Sequence, residues 1–178
     1  MSQIRVGWPP QGISGGVPHY RRYIWDNLVH ISNPVAVAVR VYLCPVEIMV
    51  PMTVDRVMFI NNTVSTGNFR VGIYYDNGDT PAGGALIVES GSVATVGVSQ
   101  KQEVTIADTS LDEGLYWLAF QKSLAADSHF CNYTRIALGG TLQTHTYASA
   151  YGAFTDPCPA VAATGTVPIL GVRVASVP

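Results

Sequence analysis

Apolar and polar positions alternate with a period of two along most of this chain, and turn-forming residues interrupt the alternation at short intervals. Val35, Val37, Val39, Val41 and Leu43 share one face, with Ala36, Ala38, Arg40 and Tyr42 on the other. That is the pattern of a half-buried strand. Pro45 and Pro51 then punctuate the chain; a proline cannot donate to a central ladder, so an edge strand or a bend is expected there. Strands are predicted over Val54–Ile60 and Phe69–Tyr75, the latter with Phe69, Val71, Ile73 and Tyr75 on one face. Asp76-Asn77-Gly78-Asp79 is a strong reversal signal, because Asn-Gly tolerates positive φ. Short strands fit Ala85–Glu89, Ser92–Val96 and Gln102–Ile106. The Asp112-Glu113-Gly114 turn leads into an aromatic-rich, central strand, Leu115–Gln121. Further strands fit His129–Leu138 and Val167–Val174, with a long loop region between them.

This spacing of roughly eight to ten short strands, with no helical period, predicts an all-β fold: an antiparallel two-sheet β-sandwich, jelly-roll-like, in residues 35–178. Residues 1–34 mix Pro, Gly and aromatics without a period. They are expected to form an extended N-terminal arm, anchoring or inter-subunit, with a short strand within Tyr23–Ile31. Trp8, Tyr20, Tyr23 and Trp25 are costly to leave in water. Together with Arg21 and Arg22 they are the candidate assembly anchor.

Composition sharpens this reading. Only 12% of the 178 residues are charged, about half the usual ~25%. Either this is a rigid β-protein with Ser, Thr and Gly loops, or part of its surface is covered by other subunits; the second is the expectation, because exposed apolar patches mark contacts. The net charge is −2 and the basic residues are scattered apart from Arg21-Arg22, so no basic stripe invites nucleic acid. The longest apolar run is broken by Arg40 and is far short of a membrane span of ~20 residues. Residues 1–20 carry no apolar segment of the kind an ordinary secretory signal needs.

The sequence between Arg40 and Lys122 carries a further signal. Thr53-Val54-Asp55-Arg56-Val57 is followed by Arg70-Val71-Gly72-Ile73-Tyr74-Tyr75-Asp76, then Pro81-Ala82-Gly83, then Glu89-Ser90-Gly91. Leu111-Asp112-Glu113-Gly114-Leu115-Tyr116-Trp117-Leu118-Ala119 completes the series, and Arg40-Val41-Tyr42-Leu43-Cys44-Pro45 precedes it. In order and spacing these resemble a module recurring in tailed-bacteriophage virion proteins, of the tail-fibre and appendage type. The resemblance implies a jelly-roll-like unit, often trimeric, on a virus particle. The expected role is therefore a structural virion component, a tail fibre, spike or head decoration, attached to other capsid or tail proteins. Its expected place is the virion, after assembly in the bacterial host cytoplasm. In such fibres the module tends to follow a long shaft, whereas here a single arm is expected before it.

Residues with chemical potential are few. Gly12-Ile13-Ser14-Gly15-Gly16 has the spacing of a nucleophile elbow, but that elbow needs a strand-to-helix turn, which nothing around it supplies. His19, His30, His129 and His145 have no metal-ligand spacing, and Cys44, Cys131 and Cys158 match no zinc or redox pattern. Buried free thiols are expected, with a Cys131–Cys158 bridge or a metal site as alternatives. Asp76 and Asp79 could begin a calcium loop, but no carboxylate follows at the needed distance. No catalytic residue, resident metal or cofactor is expected. Tyr74, Tyr75, Tyr147 and Tyr151 adjoin turns or lie in the long loop. They are candidates for stacking on the sugars of a host-surface glycan, against the alternative that they fill the core or a subunit interface.

Overall fold

A computed structural model describes residues 19–21, 39–60, 67–78, 80–96, 101–123, 130–132, 144–164, 166–168 and 170–177. The strands are β1 (His19–Arg21), β2 (Arg40–Ile48), β3 (Met52–Ile60), β4 (Asn68–Tyr75), β5 (Leu86–Glu89), β6 (Val93–Ala94) and β7 (Lys101–Leu111). They continue with β8 (Gly114–Lys122), β9 (Phe130–Asn132), β10 (Thr144–Ala148), β11 (Ala162–Thr164), β12 (Thr166–Pro168) and β13 (Leu170–Ser176). The all-β expectation holds: two antiparallel sheets pack face to face as a β-sandwich. One sheet has four strands in the order β1-β13-β3-β7; the other has seven, in the order β11-β10-β2-β8-β4-β5, with β6 also on β4. Strands β9 and β12 form a separate pair. The chain changes sheet from β2 to β3, from β3 to β4, from β6 to β7 and from β7 to β8.

The main core lies between the sheets. Tyr42, Val46 and Ile48 of β2, Phe69, Val71 and Ile73 of β4, and Tyr116, Leu118 and Phe120 of β8 face Val54, Val57 and Phe59 of β3, Val104 and Ile106 of β7, and Val172 of β13. Phe59 sits at its centre, 4.4 Å from the Phe69 ring centroid and 5.0 Å from that of Phe120. On the four-stranded sheet, Asp55 and Arg56 make cross-strand ion pairs. Arg173 Nε donates to Asp55 Oδ1 at 2.7 Å with a second contact through Nη2 to Oδ2, and Arg56 pairs with Glu103 at 2.9 Å.

Several strand expectations need correcting. β2 is buried on both faces: Val41 and Leu43 are as enclosed as Tyr42 and Val46. It is also an interior strand, between β10 and β8. Pro45 is tolerated because β10 pairs with β2 only from Arg40 to Leu43, so beyond that ladder one side of β2 is an edge. β7 is longer than expected, running to Leu111, and bulges opposite Asp55, where Val54 pairs with Thr109 but Arg56 with Thr105. The expected loop between the last strands contains β10 and β11. β8 is central as expected, between β2 and β4. Of the residues expected in an arm, Tyr20 and Arg21 lie in β1, which pairs with β13. Trp8, Arg22, Tyr23 and Trp25, and the strand expected within Tyr23–Ile31, lie outside the described residues.

Candidate functional site

The alternation that aims half of β2, β4 and β8 into the main core aims the other half outward. Val41 and Leu43, Tyr74, and Trp117 and Ala119 form an aromatic-rich outer face. Left bare, such a face would be a large apolar patch. Residues 149–161 run across it as a strap, placing Phe154, Cys158 and partly Val161 on those side chains, beside Tyr147 from β10. The seven-stranded sheet is therefore buried on both sides where the strap crosses.

Polar clasps fix the strap at intervals. Gln121, fully buried on β8, donates through Nε2 to the carbonyls of Ser149 and Ala150, both at 3.0 Å, and accepts from the Gly152 amide at 3.3 Å. Glu89 Oε2 accepts from the Phe154 amide at 3.0 Å. The Tyr74 hydroxyl donates to the Thr155 carbonyl at 2.8 Å. Asp156 Oδ1 caps the Leu86 amide at 2.9 Å. A backbone pair joins Cys158 to Gly83 and Gly84, at 2.7 and 2.9 Å. Two glycines make room. A Cβ on Gly72 would come within 2.9 Å of the Phe154 ring, and one on Gly84 within 2.1 Å of the Tyr75 carbonyl.

The four candidate tyrosines separate on this frame. Tyr74 and Tyr147 are buried under the strap, their hydroxyls 3.1 Å apart. Burial raises the pKa of both, so both phenols stay protonated and neither ring face meets solvent. Tyr151 is half-buried; its hydroxyl lies 2.8 Å from Ser92 Oγ and the Arg70 guanidinium sits 5.9 Å from its ring centroid. Tyr75 is exposed at the end of β4, in tilted contact with Tyr116 at 5.8 Å. Arg70 and Tyr75 are five residues apart on β4, about 17 Å along a strand. The structure therefore does not bring the four rings together as one stacking platform.

The remaining candidates resolve as follows. Asp76 Oδ1 accepts from the Trp117 indole at 2.8 Å; Asp79 lies outside the described residues. Among the described residues no group of three His, Cys, Asp or Glu could hold a metal ion, and no helix is long and apolar enough to cross a membrane. Cys44 and Cys158 are buried and take part in no disulfide. Burial pushes the Cys158 thiol up to about 12 and raises that of Cys44 as well, which keeps both protonated and poor as nucleophiles. Ser14 of the elbow-like sequence lies outside the described residues.

His145 is half-buried against Trp117, with ring centroids 5.1 Å apart and a buried Nδ1 that makes no hydrogen bond. Desolvation holds its pKa below the ordinary value of 6.5. The unfolded chain therefore binds the proton more readily than the native one. The stability this neutral ring contributes is full above about pH 6.5 and is lost as pH falls through the depressed native pKa. Urea midpoints at about pH 8 and about pH 5 should differ, with the lower midpoint in acid, and His145→Gln should narrow the gap. An unchanged gap in the variant would assign the acid loss to other groups.

The strap and its clasps were not foreseen from sequence. The available signal was Gln121, Glu89 and Tyr74 on strands that otherwise read as apolar. Compared with known proteins, the chain matches no family model, no curated protein and no solved structure.

Proposed function

We propose that this chain is a non-enzymatic structural component of a tailed-bacteriophage virion. In this reading it is a jelly-roll-like appendage subunit of the tail-fibre, spike or head-decoration kind, attached through its N-terminal arm and working as a homotrimer among other virion proteins. The observation that carries the reading is what the residues of the resemblance do. Asp55 and Arg56 tie β3 to its neighbours. Gly72 seats Phe154, and Trp117 is fully buried with its indole on Asp76. The shared pattern is thus a scaffold pattern, spent on packing and clasping rather than on a solvent-facing cleft. Buried cysteines outside any disulfide, at positions 44 and 158, suit assembly in a reducing cytoplasm.

Deletion of residues 2–30 tests the attachment. It removes β1 and leaves β13, β3 and β7 as a paired sheet. The truncated protein should stay soluble with a β-type circular-dichroism spectrum and fail to join particles. Full occupancy of particles by the truncated protein would remove the arm from the anchoring role.

The exposed ring of Tyr75 favours a second reading, a glycan-binding module for host attachment. Because Tyr74 and Tyr147 are enclosed, sugar stacking falls to Tyr75 and, on its open side, Tyr151. Binding on a glycan array that is lost in Tyr75→Ala or Tyr151→Ala would support it. Binding by neither the parent protein nor its variants would leave the structural role alone.

A further inference from the structure

Two turns that carry the chain from one sheet to the other lie side by side at one end of the sandwich. The β2–β3 turn is Met49-Val50-Pro51 and the β7–β8 turn is Asp112-Glu113. The ladders make them neighbours: Ile48 lies opposite Gly114, and Met52 opposite Leu111. On the other flank of β8, Tyr75 lies opposite Tyr116 and ends β4. In the order β2-β8-β4 the acidic turn therefore stands between an apolar turn and an aromatic ring. Both flanks are open: Met49 is exposed by 48%, Val50 by 45% and Tyr75 by 50%. Asp112 and Glu113 are exposed as well.

The acidic turn is held in place. The Tyr116 hydroxyl donates to the Asp112 carbonyl at 3.2 Å, and the Tyr116 ring touches that of Tyr75 at 5.8 Å between centroids. A Met-Val-Pro reversal is unusual, because turns at sandwich ends are ordinarily built from Gly, Asn, Asp and Ser. Exposed apolar side chains gathered in this way mark a contact surface. Its charge is one-sided. Arg40, Arg70, Lys101 and Lys122 lie toward the far ends of their strands, and Arg173 is paired with Asp55. Two copies meeting through this end would set acid against acid, and an anionic bilayer would be repelled. A cation is complementary: carboxylates attract it, and the open face of Tyr75 accepts it as well.

We propose that this end is a docking surface for a segment of another protein in which two apolar side chains flank a lysine or arginine. The apolar pair covers the Met49–Pro51 turn and Tyr75, and the cation sits between them beside Asp112 and Glu113. Strands on either side of β8 are about 10 Å apart, which about three residues of extended chain span. The proposal does not rest on the virion reading, because its test uses the isolated full-length chain.

The probes are short synthetic peptides with two apolar residues about three positions apart and Lys, Ser or Glu between them. The Lys series should bind about tenfold more tightly than the Ser series, and the Glu series should not bind. Met49→Ser with Val50→Ser should abolish binding, and Asp112→Asn with Glu113→Gln should equalise the Lys and Ser series; all four changes fall on exposed side chains. Amide resonances of residues 49, 50, 75, 112 and 113 should shift on titration. No binding, equal binding of the Lys and Glu series, undiminished binding by the variants, or shifts elsewhere would overturn the proposal. So would a dimer in sedimentation that the Met49→Ser, Val50→Ser variant dissolves, which assigns the surface to a second copy. Flotation with phosphatidylcholine vesicles that the same variant loses would assign it to lipid and overturn the proposal likewise.

Discussion

Replacing Trp117 with alanine should lower the unfolding free energy by about 3–5 kcal/mol, the range for removing a large aromatic from a rigid interior. The indole is fully buried at the centre of the outer-face cluster, packs edge-on against His145, and donates to Asp76. It holds three things at once: the aromatic layer beneath the strap, the β4–β5 turn, and the neighbouring β10. Trp117→Phe keeps most of the volume and loses the hydrogen bond to the Asp76 carboxylate, so its cost should be smaller, about 1.5–3 kcal/mol, the net range for a bond to a charged group. Urea denaturation with equal m-values reads both changes. An alanine variant less than about 1 kcal/mol below the parent would mean that the outer-face cluster adds little to stability.

The second large effect is expected at Gly72. Gly72→Val should cost about 3 kcal/mol, the upper end for forcing a side chain into a filled site. The new Cβ would meet Phe154 at 2.9 Å and the Val88 carbonyl at 3.0 Å. Phe154 can yield only by lifting the strap, which also strains the amide contact to Glu89 and the Tyr74 clasp. A paired substitution separates the causes. If the loss comes from the collision, Gly72→Val combined with Phe154→Ala should cost less than the sum of the two single changes. Strict additivity would show that the ring and the glycine are not coupled.

Both sites mark the boundary of what the sequence reveals. Period-two alternation located most strands, and the Asn77-Gly78 and Glu113-Gly114 signals located the reversal after β4 and the one that leads into the central strand, β8. These features are local: a turn or a strand is encoded by its own residues. The strap is encoded elsewhere. Residues 149–161 have no period of their own, and their clasps come from Gln121, Glu89 and Tyr74, which are 28 to 81 residues away. A buried glutamine on a strand has the same pattern as an exposed one until something is laid over it. For the same reason Val41 and Leu43 read as the covered face of a half-buried strand, when Tyr42 and Val46 are covered as well. Tyr74 and Tyr147 read as candidates for solvent contact on the same incomplete information. Tyr75, one residue on from Tyr74, falls on the other side of the sheet at its end, where nothing described covers it.

The strap also has a kinetic consequence. Its seat comprises side chains from β2, β4, β8 and β10, so it has nowhere to bind until those strands are aligned. Pairings that join such distant parts of a chain are slow to form, since long loops must close before any contact rewards them. Strap docking is then a late event, on the native side of the rate-limiting barrier. Tightening its clasps would prolong the life of the folded molecule while leaving the speed of its formation almost unchanged. Pulse-labelling of amides during refolding reads this order directly: residues 149–158 should gain protection after β8, and simultaneous protection would refute it.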